Sequence, residues 1–360
     1  MGVTSDPLAL PAHHPLNDGR TASAPLVRAA RGDRPDTRPV WFMRQAGRSL
    51  PEYRASRAGI EMLDACLTPD LAAEITLQPV RRHGVDAAVF FSDIVVPVLL
   101  AGVAVRIVPG RGPVLDEPVR TASDVLALRP IDPAALEPIS RAVEIVVAEL
   151  GSTPLVGFGG APYTLASYLV EGGPSKDQLR ARALMHTDPR TWAALLNWCA
   201  DVTGAFLRAQ VMAGASVVQL FDSWAGSLSR DDYVRRVAPH SRRAFDAVRG
   251  LDVARIHFGL GMGDMLDVLP GIGADVVGID WRLPLDEANR RLGGAVPLQG
   301  NIDSALLGAP WHVLERHVDD VVARGSEAPA HIVNLGHGVP PETDPDVLGR
   351  IVARVHELGR

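Results

Sequence analysis

The 360-residue sequence predicts a single (β/α)8 barrel, the TIM-barrel architecture, on three observations. Eight short apolar runs rich in Val, Ile and Phe are each typical of a buried parallel strand. Amphipathic stretches, several of which open on Asp-Pro as helices often do, separate most of these runs. No linker divides the sequence into halves. One barrel with insertions is therefore favoured over two doubly wound halves, which remain the alternative.

The predicted strands follow one another along the chain as PVWFM, DAAVFF, TPLVGF, SVVQLF, ARIHF, DVVGI, VPLQG and HIVNL. Helical stretches such as DLAAEITLQPVRRHG, DPAALEPISRAVEIVVAEL and DPDVLGRIVARVHELG lie between or after them. Three segments, HGVDAAVFFSD, AGASVVQLFDS and IGADVVGIDW, share a helix-ending glycine, a strand and a polar residue, at a spacing too irregular for a solenoid. A barrel of this type needs about 250 residues, so we expect insertions, chiefly after the first three strands.

The composition restricts both the compartment and the partners. Formal net charge is -6 and the pI is near 6.0, so the chain lacks the basic field that attracts nucleic acid or an anionic membrane surface. Cys66 and Cys199 are far apart and form no CxxC motif, which argues against a disulfide framework or a thiolate metal site. We therefore expect a cytoplasmic protein that binds neither nucleic acid nor membrane. Lys176 is the only lysine, so a Schiff-base mechanism would depend on that residue.

The first 24 residues are polar and contain several prolines. They lack a basic segment followed by an apolar one and carry Asp6 and Asp18, so they do not match a signal or transit peptide. We interpret residues 1–24 as a disordered tail and residues 25–360 as the barrel. Such a tail buries little apolar surface, so its deletion is expected to leave turnover and melting temperature nearly unchanged. No apolar run in the sequence is long enough to span a bilayer.

Polar residues follow the ends of the predicted strands, which is where the active-site cleft of a (β/α)8 barrel lies. Because the carboxyl ends of all the strands share one rim, these residues are expected to converge there. In chain order they are Arg44, Gln45 and Arg48, then Ser92 and Asp93, Gly159, Gly160 and Tyr163, Asp222 and Ser223, His257, Asp280, Asn301, and finally Asn334 and His337.

Two arginines and one aspartate give this rim both signs of charge. Arg44 and Arg48 are four residues apart around a turn, so both guanidinium groups can face one pocket and grip carboxylates in bidentate fashion. The alternative for both is an ordinary surface ion pair with Glu52 or Asp64. Asp93 ends a mostly apolar run, where a carboxylate must find hydrogen-bond donors or have its pKa raised. A helix N-cap is the alternative for Asp93.

The other candidates are weaker when taken singly. GFGGAPYTLASYLVEGG places glycines at a strand end and then Tyr163 and Tyr168, although tyrosines are often core residues with a satisfied hydroxyl. His337 lies between glycines in NLGHG, where a merely exposed histidine is the alternative. HFGLGMGDML, with Asp280 further along, imitates a dinucleotide-binding fingerprint. Its glycines are spaced GxGxG, however, and Asp264 would repel a pyrophosphate, so NAD binding is disfavoured.

The segments PVWFMRQAGRSLPEYR and GFGGAPYTLASYLVEGG resemble the two signature regions of the uroporphyrinogen decarboxylase family. Further matches are FFSDI, QLFDSWAG, VGIDWRLPLDEA, LQGNIDS and NLGHGVPPETDP, so the resemblance extends from residue 25 to residue 356. The sequence departs from the family at Ser49, where an aromatic residue is common, and in its longer N-terminal tail. Neither departure touches the matched site residues.

This resemblance implies a fold, a reaction and a set of partners. The fold is the (β/α)8 barrel, usually a homodimer whose clefts face each other, and the enzyme is a carboxy-lyase that uses no cofactor and no metal. Its reaction converts the acetate side chains of uroporphyrinogen III to methyl groups, giving coproporphyrinogen III in haem biosynthesis. The substrate contacts that the resemblance implies are Arg44, Gln45, Ala46, Gly47, Arg48, Asp93, Tyr168, Ser223 and His337.

The chemistry of the implied substrate suggests roles for these residues. The substrate macrocycle carries acetates and propionates around its edge, and Arg44 and Arg48 can bind these carboxylates. Asp93 can accept hydrogen bonds from the pyrrole N–H groups that converge at the centre, and it can neutralise positive charge on the ring. A protonated pyrrole acts as the electron sink that pyridoxal would otherwise supply. Arg44 is a candidate proton donor, although its high pKa leaves the donor open. Tyr168, Ser223 and His337 would hydrogen-bond substrate carboxylates.

Two other functions compete with this one. Corrinoid-linked methyltransferases resemble the same barrel but hold zinc through a His-x-Cys pair; in the aligned HFG, His257 is present and Gly259 replaces the cysteine. A non-catalytic tetrapyrrole-binding protein would need the arginines but not a buried carboxylate at the ring centre. Turnover of uroporphyrinogen without added metal or cofactor would separate the three.

Overall fold

The computed structural model describes residues 9–359, and nine strands lie within this range. They are β1 (Ala88–Val89), β2 (Val105–Val108), β3 (Gly112–Leu115), β4 (Leu155–Gly160), β5 (Val217–Asp222), β6 (Ala254–Gly259), β7 (Val276–Gly278), β8 (Leu298–Gln299) and β9 (His331–Ile332). β2 and β3 form an antiparallel hairpin. The other seven form one curled parallel sheet in chain order, each strand pairing with the next.

Val40 joins the two edges of this sheet. It forms a parallel bridge with Val333, just after β9. Its carbonyl oxygen accepts a 2.9 Å hydrogen bond from the amide of Asp86, just before β1. Its own N–H donates at 2.8 Å to the carboxylate of Asp86, so a side chain replaces backbone pairing on that side. With Val40 included, each of the predicted runs contributes one segment of the barrel wall, which confirms the predicted (β/α)8 barrel.

Fifteen α-helices occur between residues 9 and 359. The first nine are α1 (Pro25–Ala30), α2 (Pro51–Ser56), α3 (Met62–Leu67), α4 (Pro69–His83), α5 (Val96–Leu100), α6 (Ala122–Ala127), α7 (Glu137–Leu150), α8 (Pro162–Glu171) and α9 (Leu179–Thr187). The remaining six are α10 (Pro189–Ala213), α11 (Arg230–Arg236), α12 (Ala238–Asp246), α13 (Leu285–Arg291), α14 (Trp311–Gly325) and α15 (Pro345–Leu358). None of these helices combines the length and the apolar run that crossing a membrane requires.

The Asp-Pro pairs start helices as predicted. Asp188 caps α10 by accepting from the amide of Thr191, and Asp344 caps α15 by accepting from the amide of Asp346. Insertions follow the first three wall segments: α2 and α3 after Val40, the β2–β3 hairpin after β1, and α8 with α9 after β4. Between β6 and β7 two 3-10 helices, Gly263–Val268 and Pro270–Ile272, occupy the place of an α-helix.

A chain of polar side chains crosses the interior of the barrel. The indole N–H of Trp41 donates at 3.2 Å to the amide oxygen of Gln299, whose NH2 group donates at 2.8 Å to Gln219. All three side chains are buried. Since these residues come from the first wall segment, β8 and β5, their hydrogen bonds link distant parts of the wall across the axis.

The structure differs from the predicted tail over residues 9–24. This segment forms turns that pack against α10 and the start of β5. His14 is buried, and its Nε2 lies 3.0 Å from the carbonyl oxygen of Val211. Thr21 is also buried, with its hydroxyl 2.9 Å from that of Ser216. Composition could not indicate this because only a few side chains of a polar segment make the contacts; residues 1–8 lie outside the described part of the chain.

We therefore expect deletion of residues 2–24 to lower the melting temperature. Thr21→Val should cost about 1 kcal/mol because the hydroxyl of Ser216 loses its buried partner. Thr187→Val removes a hydroxyl that bonds within an exposed helix end, and it should change the stability by less than about 0.5 kcal/mol. Thermal and denaturant unfolding would measure all three. Equal stability of the truncated and full-length chains would show that the segment does not stabilise the barrel.

Candidate active site

A tight turn places Arg44 and Arg48 at the carboxyl end of the first wall segment. Arg44 has a φ of 63°, in the left-handed region, and a Cβ at Gly47 would lie 3.0 Å from the carbonyl oxygen of Arg44. The amide of Met43 donates at 2.9 Å to the side chain of Asn334, which fixes the start of the turn. The barrel thus holds both arginines on a constrained loop rather than on a mobile one.

Gln45 supports this turn from inside the wall. Its side-chain oxygen accepts a 2.9 Å hydrogen bond from the amide of Phe42, and its NH2 group donates at 3.0 Å to the carbonyl oxygen of Ala87. The side chain is 0% exposed. Of the residues in the turn, Gln45 is therefore turned away from the cleft. Its geometry suits a positioning role. The sequence could not show this, because a glutamine at a strand end can point either into the cleft or into the wall.

Neither arginine of the turn makes the surface ion pair that was the alternative interpretation. Both are exposed, and neither guanidinium group pairs with a carboxylate within residues 9–359. Glu52 is 3.4 Å from Arg82 instead. The stem of Arg44 lies so close to Gly338 that a Cβ at position 338 would overlap it. Glycine at that position leaves room for the Arg44 side chain to lie beside the loop of His337.

Asp93 follows β1 and keeps one carboxylate oxygen free of protein donors. Its Oδ1 accepts a 3.0 Å hydrogen bond from the amide of Val95, while Oδ2 accepts none from the described residues. The N-cap position of α5 is Val95, so Asp93 is not the helix cap that was its alternative. Burial raises the pKa of Asp93, and the Val95 amide and the positive charge of Arg44 offset this only in part.

Tyr168 lies in the same space as Asp93 and Arg44. Burial, reinforced by the Asp93 charge and opposed by Arg44, raises the pKa of Tyr168 to about 12, so its hydroxyl stays protonated at neutral pH. Its ring stacks on Trp224, with centroids 4.0 Å apart. Ser223, the partly exposed residue before Trp224, follows the carboxyl end of β5. Tyr168 and Ser223 thus present two hydroxyl groups on the rim.

His337 is partly buried beside Arg44 and Arg282. Burial and these two positive charges lower its pKa, so the imidazole is neutral at pH 7. The amide of Gly338 donates at 2.7 Å to Nδ1, which places the proton of the neutral ring on Nε2. His337 can therefore donate a hydrogen bond through Nε2 without carrying charge.

Several of the predicted strand-end residues lie in the wall rather than in the cleft. Tyr163 is fully buried, with its hydroxyl 3.1 Å from Ser227, so it is the core tyrosine that was its alternative. Gly159 and Gly160 leave space for packing, since a Cβ at either would come within 2.9 Å of a helix side chain, Thr203 of α10 or Leu165 of α8. Asp222 and His257 are also fully buried.

Asp222 and His257 form a buried cluster beneath the loop of Ser223. The hydroxyl of Thr164 donates at 2.8 Å to Asp222, whose other oxygen is 3.7 Å from Nε2 of His257. Burial raises the pKa of Asp222 to about 7 and lowers that of His257 to about 3. The hydroxyl of Thr164 also lies 3.4 Å from the amide of Trp224, so this cluster supports the loop that carries Ser223.

The structure does not assemble the donors that zinc or a dinucleotide would need. His257 Nε2 is 3.4 Å from the hydroxyl of Tyr233, and a Cβ at Gly259 would collide with Met262 and lie 2.9 Å from a backbone oxygen of Asp222. The cysteine of a His-x-Cys pair therefore has no space at that position. Within residues 9–359, no three His, Cys, Asp or Glu side chains lie together as metal ligands. The α-helix that a dinucleotide fingerprint opens is replaced by the 3-10 helix Gly263–Val268.

Two aromatic residues on the rim, Trp224 and Trp281, were not predicted. Each directly follows a polar strand-end residue, in FDSWAG and in GIDWRL. Trp281 is 36% exposed, and its ring lies 6.3 Å from that of His337. Their position directly after a strand-end polar residue could have indicated that they lie on the rim. Apolar residues near strands usually belong to the core, however, so this pattern alone is weak.

Comparison with known proteins assigns the chain to a family. The family model described as uroporphyrinogen decarboxylase (URO-D) matches residues 21–358. A uroporphyrinogen decarboxylase of Arthrobacter sp. (strain FB24) is 66% identical over 341 residues, which cover 95% of this chain and 99% of that protein. The protein of that name from Leifsonia xyli subsp. xyli (strain CTCB07) is 59% identical, over 97% of this chain and 98% of the relative.

Among solved structures, a methyltransferase from Methanosarcina mazei shares the fold. It superimposes with a TM-score of 0.75 at 18% identity, covering 94% of this chain and 99% of that one. Identity at this level supports the architecture and carries no functional assignment. The family match spans nearly the whole chain and includes every rim residue described above, so the chain belongs to the uroporphyrinogen decarboxylase family.

Proposed function

We propose that this protein is a carboxy-lyase that decarboxylates the acetate side chains of uroporphyrinogen III to methyl groups, giving coproporphyrinogen III in haem biosynthesis. Membership of the uroporphyrinogen decarboxylase family supports the reaction. One structural observation carries the assignment to this cleft. In a chain of net charge -6, Arg44 and Arg48 have no carboxylate partners among the described residues, and the charge of Arg44 acts on Asp93, which keeps one free oxygen.

The unpaired arginines suit a substrate with an anionic rim. Each pyrrole ring of uroporphyrinogen carries an acetate and a propionate, and a guanidinium group can bind such carboxylates through two parallel hydrogen bonds. The backbone amides of Ala46 and Gly47 also lack acceptors within the described residues, so the same turn offers further donors between the arginines. We propose that Arg44, Ala46, Gly47 and Arg48 bind substrate carboxylates and that Gln45 positions them.

The neutral donors of the same cleft complete the proposed binding set. The hydroxyl groups of Tyr168 and Ser223 and the Nε2–H of His337 can each donate to a carboxylate without adding charge. Mixed charged and neutral donors allow the macrocycle to be held firmly and still released after its acetates are lost. These roles follow the positions of the side chains around one cleft.

Asp93 is suited to the centre of the macrocycle. The pyrrole N–H groups point inward, and the free Oδ2 of Asp93 can accept them. Protonation of a pyrrole α-carbon gives a cation, which the carboxylate stabilises. The electron pair of the bond between the acetate methylene and its carboxylate then moves into this ring as carbon dioxide leaves, and the resulting methylene takes up one proton to become methyl. Loss of the proton first added at the α-carbon restores the neutral aromatic pyrrole, so each decarboxylation consumes one proton in total.

Arg44 is the candidate proton donor because its positive charge acts on the Asp93 carboxylate. An arginine gives up a proton with difficulty, so the proton would pass through a water molecule or a substrate carboxylate held by the guanidinium group. The driving force comes from the substrate, whose protonated ring accepts the electrons. No cofactor or metal is required by this sequence of steps.

We propose in addition that the protein acts in the cytoplasm as a homodimer and without nucleic acid. Cys66 and Cys199 are buried free thiols, which suits a reducing compartment. The acidic net charge argues against nucleic-acid binding. Sedimentation at micromolar concentration would test the dimer independently of activity.

Asp93→Asn is expected to lower kcat about a hundredfold and to change KM much less, because it removes a charge that acts chiefly in the transition state. Since burial raises the pKa of Asp93, ionising it weakens folding, so the variant should melt at a higher temperature than the parent above pH 4. This gain should disappear as the pH falls to the ordinary carboxyl pKa.

Asp116→Asn is the matched control for that variant. Arg106, 2.8 Å away, lowers the pKa of Asp116, so the pKa shift of this exposed aspartate is opposite in sign to that of Asp93. Asp116→Asn should therefore give no gain in melting temperature. Parent-like kcat for Asp93→Asn, or a loss confined to affinity, would contradict the charge-stabilising role and favour a tetrapyrrole carrier.

Arg48→Ala is expected to raise KM about tenfold or more and to leave kcat within a few fold, because the substrate carboxylates are fully charged before reaction. Arg235→Ala, at an exposed arginine that pairs with Asp231 within α11, should leave both parameters unchanged. Initial rates over a range of substrate concentrations would measure both. Unchanged KM for Arg48→Ala would exclude it from substrate binding.

Turnover is expected to survive dialysis against a chelator, since the proposed electron sink lies in the substrate. The assay would compare rates before and after chelation, with zinc added back to a separate sample. Loss of activity that zinc restores would contradict the proposal and indicate a metal-dependent reaction instead.

A further inference from the structure

A third arginine, Arg282, lies on the cleft rim outside the set discussed above. It follows β7 at the same carboxyl edge as the other rim residues, and its side chain is 53% exposed. The guanidinium group stacks over the indole of Trp281, 4.0 Å from the ring centroid. Trp281 in turn lies edge-on to His337, at 6.3 Å between centroids. Arg282 is thereby connected to the proposed binding set through one aromatic ring.

The base of this arginine is rigidly held. Asp280 is 6% exposed; its Oδ1 accepts a 3.0 Å hydrogen bond from the amide of Arg282, and its Oδ2 accepts one of 2.6 Å from the amide of Gly261. One terminal nitrogen of Arg282 also donates to Oδ2. Asn301 donates to the carbonyl oxygens of Asp280 and Leu283, at 2.8 and 2.7 Å, and so braces the loop on both sides.

This arrangement leaves most of the guanidinium group available. One donor is used by Asp280, and the other N–H groups of Arg282 meet no acceptor within residues 9–359. The stacking on Trp281 fixes the plane of the fork, which reduces the entropy lost when a carboxylate binds. A merely structural ion pair would not require an indole that is 36% exposed beneath the cation.

The electrostatic environment of His337 places Arg282 at the same cleft as Arg44. Both positive charges lower the pKa of the His337 imidazole, and the nearby Asp280 carboxylate acts in the opposite direction. The two guanidinium groups therefore lie within electrostatic range of one imidazole. The backbone of Trp281 lies against Gly336, where a Cβ would overlap it, so the loops after β7 and β9 are in direct contact.

We propose that Arg282, held flat on Trp281, binds a carboxylate on the rim of the macrocycle and so determines affinity for the carboxylate-rich substrate. This inference rests on the proposed function, because it concerns the same cleft and the same anionic ligand. Arg282 reaches His337 through the ring of Trp281, and Arg44 reaches it through its contact with Gly338, so one ring substrate can be held by arginines from two different loops. Trp281 provides an apolar surface beside the bound carboxylate and keeps the fork in place.

The test compares Arg282→Gln, Arg282→Lys and a control, Arg290→Gln. Arg290 is a 73% exposed arginine in α13 that also pairs with a neighbouring carboxylate, Glu287. The probe for binding is uroporphyrin, the oxidised macrocycle, which retains the acetates and propionates. Its affinity would be titrated by quenching of tryptophan fluorescence at several salt concentrations. Steady-state rates with uroporphyrinogen and melting temperatures would be measured for the same proteins.

Arg282→Gln is expected to weaken uroporphyrin binding and raise KM about tenfold, with kcat within about twofold and a shallower dependence of affinity on salt. Arg282→Lys keeps the charge but loses the planar fork, so it should recover only part of the affinity. Arg290→Gln should match the parent. An unchanged uroporphyrin affinity in Arg282→Gln would overturn the proposal.

A purely structural role would give a different result. Both Arg282 variants would then lose melting temperature, kcat and affinity together, with an unchanged salt dependence, and the proposal would be wrong. Failure of the proposed function is distinguishable from either outcome, because the parent protein itself would then neither bind uroporphyrin nor turn over uroporphyrinogen.

Discussion

Closure of the barrel at Val40 is the constraint on which the cleft depends. This residue joins the last strand of the sheet to the first, through its bridge to Val333 and its hydrogen bond from Asp86. The segments on either side of this junction carry Arg44, Asp93 and His337, which are far apart in sequence. The residues of the cleft therefore meet only because the two edges of the sheet meet, and any loosening of the junction would separate Arg44 from Asp93, on which its charge acts.

The buried polar groups around the junction explain how the wall can hold charge at its rim. Asn334 and Gln45 satisfy backbone amides at the turn, so the chain can reverse direction there without leaving donors unpaired. Asp93, in contrast, is not fully satisfied. Burial raises its pKa, and its second oxygen accepts no hydrogen bond from the described residues. A carboxylate in this condition weakens folding when ionised, which is typical of a group placed for a ligand rather than for stability.

The sequence predicted the strands and helices of this structure better than the individual side-chain contacts between them. Apolar runs and Asp-Pro starts locate strands and helices because they report local periodicity and capping. Motif resemblance located the rim residues, although it grouped Gln45 with its neighbours without showing that its side chain faces the wall. The buried contacts of His14 and the stacking of Arg282 on Trp281 depend on residues distant in sequence or on side-chain directions. No local pattern encodes such contacts, so they emerge only from the folded chain.

The positive charge of the cleft comes from arginines, which do not titrate near neutral pH, rather than from histidines, which do. Arginine remains charged at any physiological pH, whereas a histidine near its ordinary pKa would gain or lose charge with small changes of pH. Here the arginines also act on His337, because burial lowers its pKa, the positive charges of Arg44 and Arg282 lower it further, and the ring stays neutral. The positive potential that attracts an anionic macrocycle is thereby separated from the groups that only donate hydrogen bonds. Under the proposed function, substrate affinity can then stay nearly constant around neutrality, while acidification would act mainly through the protonation of Asp93, the carboxylate proposed to stabilise the protonated ring.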